Sequence, residues 1–315
     1  VLVFAALIAV FPLAASSPYL QSVGATMGLY ALMALGLGLL IGYAGQISLG
    51  HAAFYGLGAY SSAIVCTRAH LHPWLGVLTG LMVSGLVAYA VGRPTLRLHG
   101  HYLAMATLGF GVIVQIILVQ WAPVTGGFGG ITSVPPLAIG PLVIKGDRLN
   151  FYLIWLCVLV ALLLARNLVD SRVGRALRAI HDSEVAAAAC GVDVARYKVQ
   201  IFVLSALFAS LAGSLYAHWI SFVSPDPYGL SLSVQLLVMV MVGGARSLWG
   251  PILGAVLMTA LSQRIEKTDA IKDLSEVVYG LALMLILIFL PQGLSGWFAT
   301  IGARLTRGGG GESRG

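Results

Sequence analysis

Long apolar stretches separated by short polar clusters make up almost the whole chain. Reading from charge to charge gives stretches at Val1–Ala15, Val23–Tyr43, Ile47–Cys66, Trp74–Gly92, His101–Trp121, Phe151–Ala165, Val199–Phe222, Leu230–Gly243, Gly250–Gln263 and Val277–Leu290. An apolar helix needs about 20 residues to cross the hydrocarbon of a bilayer. Several stretches fall short, so the pattern predicts an all-α polytopic bundle of about ten membrane segments, some of them short or broken. Tight or broken connections are expected beside Gly45 and Gly244. The first stretch lacks a basic leader and reads as a span rather than a signal peptide, although Ala14-Ala15-Ser16 resembles a cleavage site.

Composition supports that reading. Of 315 residues, 59% are hydrophobic and 9% charged, with a mean hydropathy of +0.94, values that belong to an integral membrane protein. The net charge of +7 is spread over short loops and forms no continuous stripe, so no nucleic-acid partner is expected. If the segments alternate, twelve of the 18 Lys and Arg residues fall on the side that carries Arg166–Lys198, and six on the other. Positive charge is retained in the cytoplasm, which predicts both termini inside and Lys145 and Arg148 outside. The outer loop Arg264–Ser275 opposes the trend with three basic residues, and its acids make it a mixed-charge cap. Cys66, Cys157 and Cys190 are scattered, and neither a disulfide nor a metal site is expected.

The most informative stretch is Gly42–Tyr60, GYAGQISLGHAAFYGLGAY, with five glycines and several polar groups inside apolar sequence. Glycine permits close backbone approach and a helix break, and polar groups at a break must face protein or a water-lined cavity. On a helix after Gly45, Ser48, His51 and Tyr55 share one face. With Gln46, and with Thr107 and Gln115 on a later segment, they either line a translocation path or bond to neighbouring helices. Gly45–Gly50 is echoed by Gly244–Gly250, as chance or as a repeated break.

The longest polar stretch on the side read as cytoplasmic is 170–198, DSRVGRALRAIHDSEVAAAACGVDVARYK. Helix formers from Arg175 to Ala189, closed by Cys190-Gly191, predict a surface helix with a glycine C-cap. Its small residues suit close docking to a partner, with Glu184 fixing orientation at a polar rim. The alternative is an ordinary alanine-rich loop.

Glu184–Gly191 resembles the EAA loop of ABC importer permeases. Over nearly its whole length the chain is similar to the LivM-like permease subunits of branched-chain amino-acid ABC importers. The matching landmarks are Gly42–Tyr60, Arg97–Gly111, Trp121–Ile131, His181–His218, Met241–Ala255 and Pro291–Phe298, in order and at matching spacing. Phe128 in the TGGxxG stretch, Cys190 before the loop glycine and a short amino terminus depart from the pattern.

The resemblance implies a non-catalytic permease domain over residues 1–303, with the coupling loop 170–198 inside it and a cytoplasmic tail at 304–315. It implies Glu184, Ala186, Ala187, Ala188 and Gly191 as the ATPase-coupling residues. The expected partners are a second homologous permease, two cytoplasmic ATP-binding subunits, a periplasmic substrate-binding protein and the lipid bilayer of a bacterial inner membrane. The expected solute is leucine, isoleucine or valine, the alternative being urea, a short amide or another small solute. No cofactor is expected.

The residues argue against two other classes. Gly126-Gly-Phe-Gly-Gly-Ile-Thr132 lacks the lysine of a phosphate-binding loop, so energy comes from another chain. An ion-coupled carrier usually keeps an ionisable group at membrane depth, and the stretches carry no Asp, Glu, Lys or Arg there. A membrane enzyme finds little support: the pairs His70/His72 and His99/His101 have no carboxylate or cysteine completing a metal set.

Overall fold

A computed structural model describes residues 17–266 except Arg97, His99 and Pro141, together with Phe4, Ile8, Gly280 and Met284. The expected segments Val1–Ala15 and Val277–Leu290, most of the mixed-charge cap, and the tail 304–315 therefore lie largely or wholly outside the described residues.

The eight other apolar stretches each fold as a helix or its greater part. They are α1 (Pro18–Ala44), α2 (His51–Arg68), α3 (Pro73–Thr95), α4 (His101–Gln120), α6 (Asp147–Asp170), α9 (Val194–Ile220), α10 (Leu230–Gly243) and α11 (Trp249–Glu266). Between them lie one-turn α5 (Ala122–Thr125) and the short helices α7 (Arg172–Asp182) and α8 (Glu184–Ala189). Among the described residues, α1, α3, α4, α6 and α9 are long and apolar enough to cross a membrane. This is a helical membrane protein, with five such helices among the described residues; two of the roughly ten expected segments lie outside them. Helix α2 carries two glycines and several hydroxyls among its 18 residues, and α10 is only 14 residues long, so neither joins the five.

Some helices start where the sequence supplies a side-chain cap. Ser17 Oγ accepts from the Leu20 N–H ahead of Pro18, and Asp193 Oδ1 accepts from the Arg196 N–H at the start of α9, satisfying amides that have no partner within the helix. Helix α1 ends at Gly45, whose φ of +64° suits only a residue without a side chain.

The core is centred on α1 and α9. Helix α9 packs most extensively on α2 and α3, and α1 on α6, α9 and α11. The α2–α9 contact is backbone against backbone: a Cβ on Gly58 would overlap the Ser210 carbonyl, and one on Gly213 would overlap that of Tyr55. Close approach lets Ser214 Oγ donate to the Gly58 carbonyl (3.1 Å) and Ser210 Oγ to that of Gly80 on α3 (2.9 Å). Small residues with serine hydroxyls are the usual glue of helices whose surroundings give no hydrophobic drive to associate.

The connections collect at two ends. At one, β1 (Ile131–Thr132) pairs antiparallel with β4 (Phe222–Val223), and β2 (Ala138–Ile139) with β3 (Leu142–Val143), a small departure from a purely helical class. His218 Nδ1 donates to the Pro135 carbonyl there (2.6 Å), which leaves Nε2 to accept from Ser62 Oγ (2.8 Å). Nearby, Tyr228 in the turn Asp226–Tyr228 packs on Gly56, and burial beside Tyr216 and Tyr60 pushes its phenol well above the usual range. At the opposite end, a Cβ on Gly42 would overlap the Ala245 carbonyl, and His181 Nδ1 lies 3.1 Å from a Cβ position on Gly45. The two echoing breaks and the loop after α6 thus share one end, as alternation of the segments requires.

Candidate functional site

Residues 45–50 between α1 and α2 leave the helical path, so the amides of the break and of the first turn of α2 need acceptors from outside the helix. Three side chains supply them. Thr107 Oγ1 on α4 accepts from the Leu49 N–H (3.0 Å), Ser48 Oγ from that of Gly50 (3.4 Å), and Ser233 Oγ on α10 from that of Ala52 (3.1 Å). The His51 ring spans the same junction, with Nδ1 3.2 Å from Ser48 Oγ and Nε2 2.5 Å from Ser205 Oγ on α9. One helix start is therefore held by α4, α9 and α10 together through side-chain hydrogen bonds.

The residues expected along a path occupy this junction unequally. Ser48, His51 and Thr107 come together and are buried, and each makes a hydrogen bond within the chain. Ser48 precedes α2 instead of lying on it, so the shared helical face holds for His51 and Tyr55 alone, and the break delivers Ser48 to the imidazole. Tyr55 lies a turn further along, against the rings of Tyr216 and Tyr228 at 5.7 and 5.2 Å between centroids. Gln46 is buried, and its Oε1 has no hydrogen-bond partner among the described residues. Its neighbour Ile47 is exposed. Gln115 stands apart, its side-chain amide against Gly229.

The 170–198 loop folds as two helices, not one. The single helix expected from Arg175 to Ala189 is interrupted at Ser183, which adopts an extended conformation and caps α8 by accepting from the Ala186 N–H (3.2 Å). A serine inside a run of helix formers competes for the backbone in this way. Helix α7 buries Gly174, Leu177 and Ile180 against α1 and α6. Helix α8 ends as the sequence predicts: Gly191, at φ +82°, donates to the Ala188 carbonyl (3.0 Å) and Val192 N–H to that of Ala187 (3.1 Å), the paired bonds of a glycine-terminated helix. Nothing lies within 4 Å of a Cβ position on Gly191, so its backbone conformation is what calls for glycine.

Of the expected coupling residues, Ala187 faces inward, while Ala186, Ala188 and Gly191 are exposed alongside Val185, 82% exposed. Glu184 does not stand free at a rim: its carboxylate is 2.5 Å from the ammonium of Lys198 on α9, itself only 1% exposed.

Sequence reasoning passed over Ser205, Ser233, Val185 and Lys198. The serines left a faint trace, since polar residues inside apolar stretches need partners. Nothing local marked Lys198 as buried, because its partner lies 14 residues away.

Comparison with known proteins now adds to the geometry. A family model described as the branched-chain amino acid transport system permease component matches residues 19–287. The chain is 33% identical to the high-affinity branched-chain amino acid transport system permease protein LivM of Escherichia coli over 91% of this chain and 74% of that protein. It is 32% identical, with the same coverage, to the LivM protein of Salmonella typhimurium. It is also 25% identical to the LivH permease protein of the latter organism, over 87% of this chain and 93% of that one. No solved structure matches. A helical membrane bundle with a break of this kind, matched along nearly its full length, belongs to the family of branched-chain amino acid transport permeases.

Proposed function

We propose that this chain is one permease subunit of an ATP-driven importer that carries branched-chain amino acids into a bacterial cell across the inner membrane. It works beside a second homologous permease. A periplasmic binding protein delivers the solute, and two cytoplasmic ATP-binding subunits supply the energy. The carrying observation is the similarity to LivM proteins over 91% of the chain, since those proteins are named for branched-chain amino acid transport. The similarity to LivH as well supports a two-permease core, because one ancestry then accounts for both halves.

In this reading α8 is the contact with an ATP-binding subunit. Its exposed face of Val185, Ala186, Ala188 and Ala189 is apolar and small, and small residues let another chain approach closely. Helix α7 joins it to the break between α1 and α2 through His181 at Gly45. The break borders the translocation route, with Gln46 the member whose hydrogen-bonding capacity is least used. The basic residues of α7 support a cytoplasmic position for this end.

Reconstitution tests the proposal. Proteoliposomes holding this chain, a second permease and ATP-binding subunits should take up leucine when ATP is inside and the binding protein outside. Uptake that follows an ion gradient and ignores ATP would overturn it, and uptake of urea or an amide with leucine excluded would overturn the substrate.

A further inference from the structure

A cavity of about 620 Å³ lies between the end of α3 and the start of α9, and none of the residues of the break lines it. Its polar end holds two guanidinium groups, Arg93 and Arg196. Arg93 is set over the Tyr89 ring at 5.4 Å. Among the described residues, no carboxylate is within ion-pair distance of either arginine. The cavity's one acid, Asp193, is engaged as the cap of α9 through the Arg196 N–H. The polar end therefore carries two guanidinium groups against one carboxylate and is net positive.

Apart from Gln200 the rest of the lining is apolar, and it continues into an exposed apolar surface on α3. Val199 and Val203 line it on α9, and at 1.5 Å of rise per residue Val203 lies about 15 Å from Asp193 along the helix. On α3 the exposed side runs from Tyr89 through Leu86, 70% exposed, to Met82. A water-soluble partner reaches the arginines but not that depth. A molecule with an anionic head and a hydrocarbon tail matches both ends.

We infer that this groove is a binding site for an anionic phospholipid, with Arg93 and Arg196 on the headgroup phosphate and the first acyl carbons along Val199, Val203 and Leu86. Basic pockets between membrane helices at the cytoplasmic boundary bind such headgroups, and each cation near an anionic surface contributes about 1 kcal/mol, or a factor of about five in affinity. The tyrosine at the rim is suited to the interface, with its ring in the apolar layer and its hydroxyl among headgroups. The inference rests on the membrane-spanning reading of α3 and α9, and needs neither the solute nor the ATP-binding subunits.

Thermal unfolding of the purified full chain in detergent, with added lipid, tests it. Phosphatidylglycerol should raise the midpoint, while phosphatidylcholine and inorganic phosphate should not. Arg93→Gln and Arg196→Gln should each weaken phosphatidylglycerol binding about five-fold, and Arg166→Gln, at an exposed arginine elsewhere, should leave it unchanged. Arg196→Lys should keep most of the binding, which separates loss of charge from loss of folding. Equal stabilisation by phosphatidylcholine would reduce the groove to a general lipid contact. Equal stabilisation by phosphate would make it a site for free anions. Undiminished lipid binding in both glutamine variants, with loss of an ATP-binding subunit on co-purification, would make it a protein-docking surface. Each of these three results overturns the inference and leaves the permease assignment standing.

Discussion

Lys198, almost wholly buried, places its ammonium 2.5 Å from the carboxylate of Glu184, and so ties the first residue of α8 to the first turns of α9. The two partners differ in exposure, with Glu184 still 30% exposed at its side chain. A carboxylate that reaches water tolerates loss of its partner better than a buried ammonium does. Glu184→Ala should therefore destabilise the chain by about 3–5 kcal/mol, the usual cost of stranding a buried charge. Lys198→Met should cost clearly less. Thermal unfolding of both variants and of the double variant tests the asymmetry, and equal losses from the two single changes would show that burial is not what sets the cost.

Charge reversal at Glu184 is consequently a poor probe of docking, because it sets a second cation against Lys198. Gly191 is the cleaner position. A Cβ there has no described neighbour within 4 Å, so a leucine pays chiefly for a left-handed backbone, at about 1–2 kcal/mol. Gly191→Leu should insert and accumulate normally while ATP-driven uptake falls at least ten-fold. Gly191→Asn, which adopts that backbone more readily, should retain more activity. Full uptake by the leucine variant would remove α8 from the coupling surface.

Thr107 separates packing from passage at the break. Thr107→Val keeps the side chain's shape but removes the acceptor for the Leu49 N–H, so a loss of about 1–3 kcal/mol in stability is expected. Thr107→Ser keeps the oxygen and should restore it. Solute uptake at matched expression carries the functional reading: transport by the serine variant should stay near normal. Gly50→Leu is a harsh change, since even a Cβ there falls 2.8 Å from the Thr107 carbonyl. Its failure would report on folding as much as on a route.

Glycines of α4 offer the converse case. Nothing lies within 4 Å of a Cβ position on Gly109, so Gly109→Ala should raise helix stability by up to about 1 kcal/mol. Gly213→Ala, at a backbone contact with Tyr55, should prevent the normal fold. Detergent stability of the two purified variants distinguishes them, and equal tolerance would contradict the α2–α9 packing.

Native cysteines report topology without further engineering, because Cys190 is exposed beside Gly191 while Cys66 is buried. A membrane-impermeant maleimide should label Cys190 in inverted vesicles and leave it unlabelled in intact cells. Labelling Lys145→Cys in a chain lacking the native cysteines should give the opposite result. The reverse pattern would invert the chain.

Eight apolar stretches were legible as helices because burial in lipid or in a close-packed bundle leaves a long unbroken signal. Their ends were legible where one residue decides them, as at Gly45 and Gly191. The split at Ser183 was harder to see, since a serine in a helical run caps or continues according to what its neighbours bury. The group of Ser48, His51 and Thr107 was visible as polar residues in apolar surroundings, but its meaning was not. Whether such a group bonds to protein or faces water depends on Ser205 and Ser233, which lie far away in the chain. Pairing at long separation also hid the link between Glu184 and Lys198.

At Gly42 the backbone of α1 meets the carbonyl of Ala245 with no side chain between them. Side chains ordinarily cushion a helix contact, because rotamers absorb small shifts before the backbone moves. Here that slack is missing, so a displacement of one helix end either carries the other with it or breaks the contact outright. Two segments separated by some two hundred residues of sequence thus meet at a joint that has no compliance of its own.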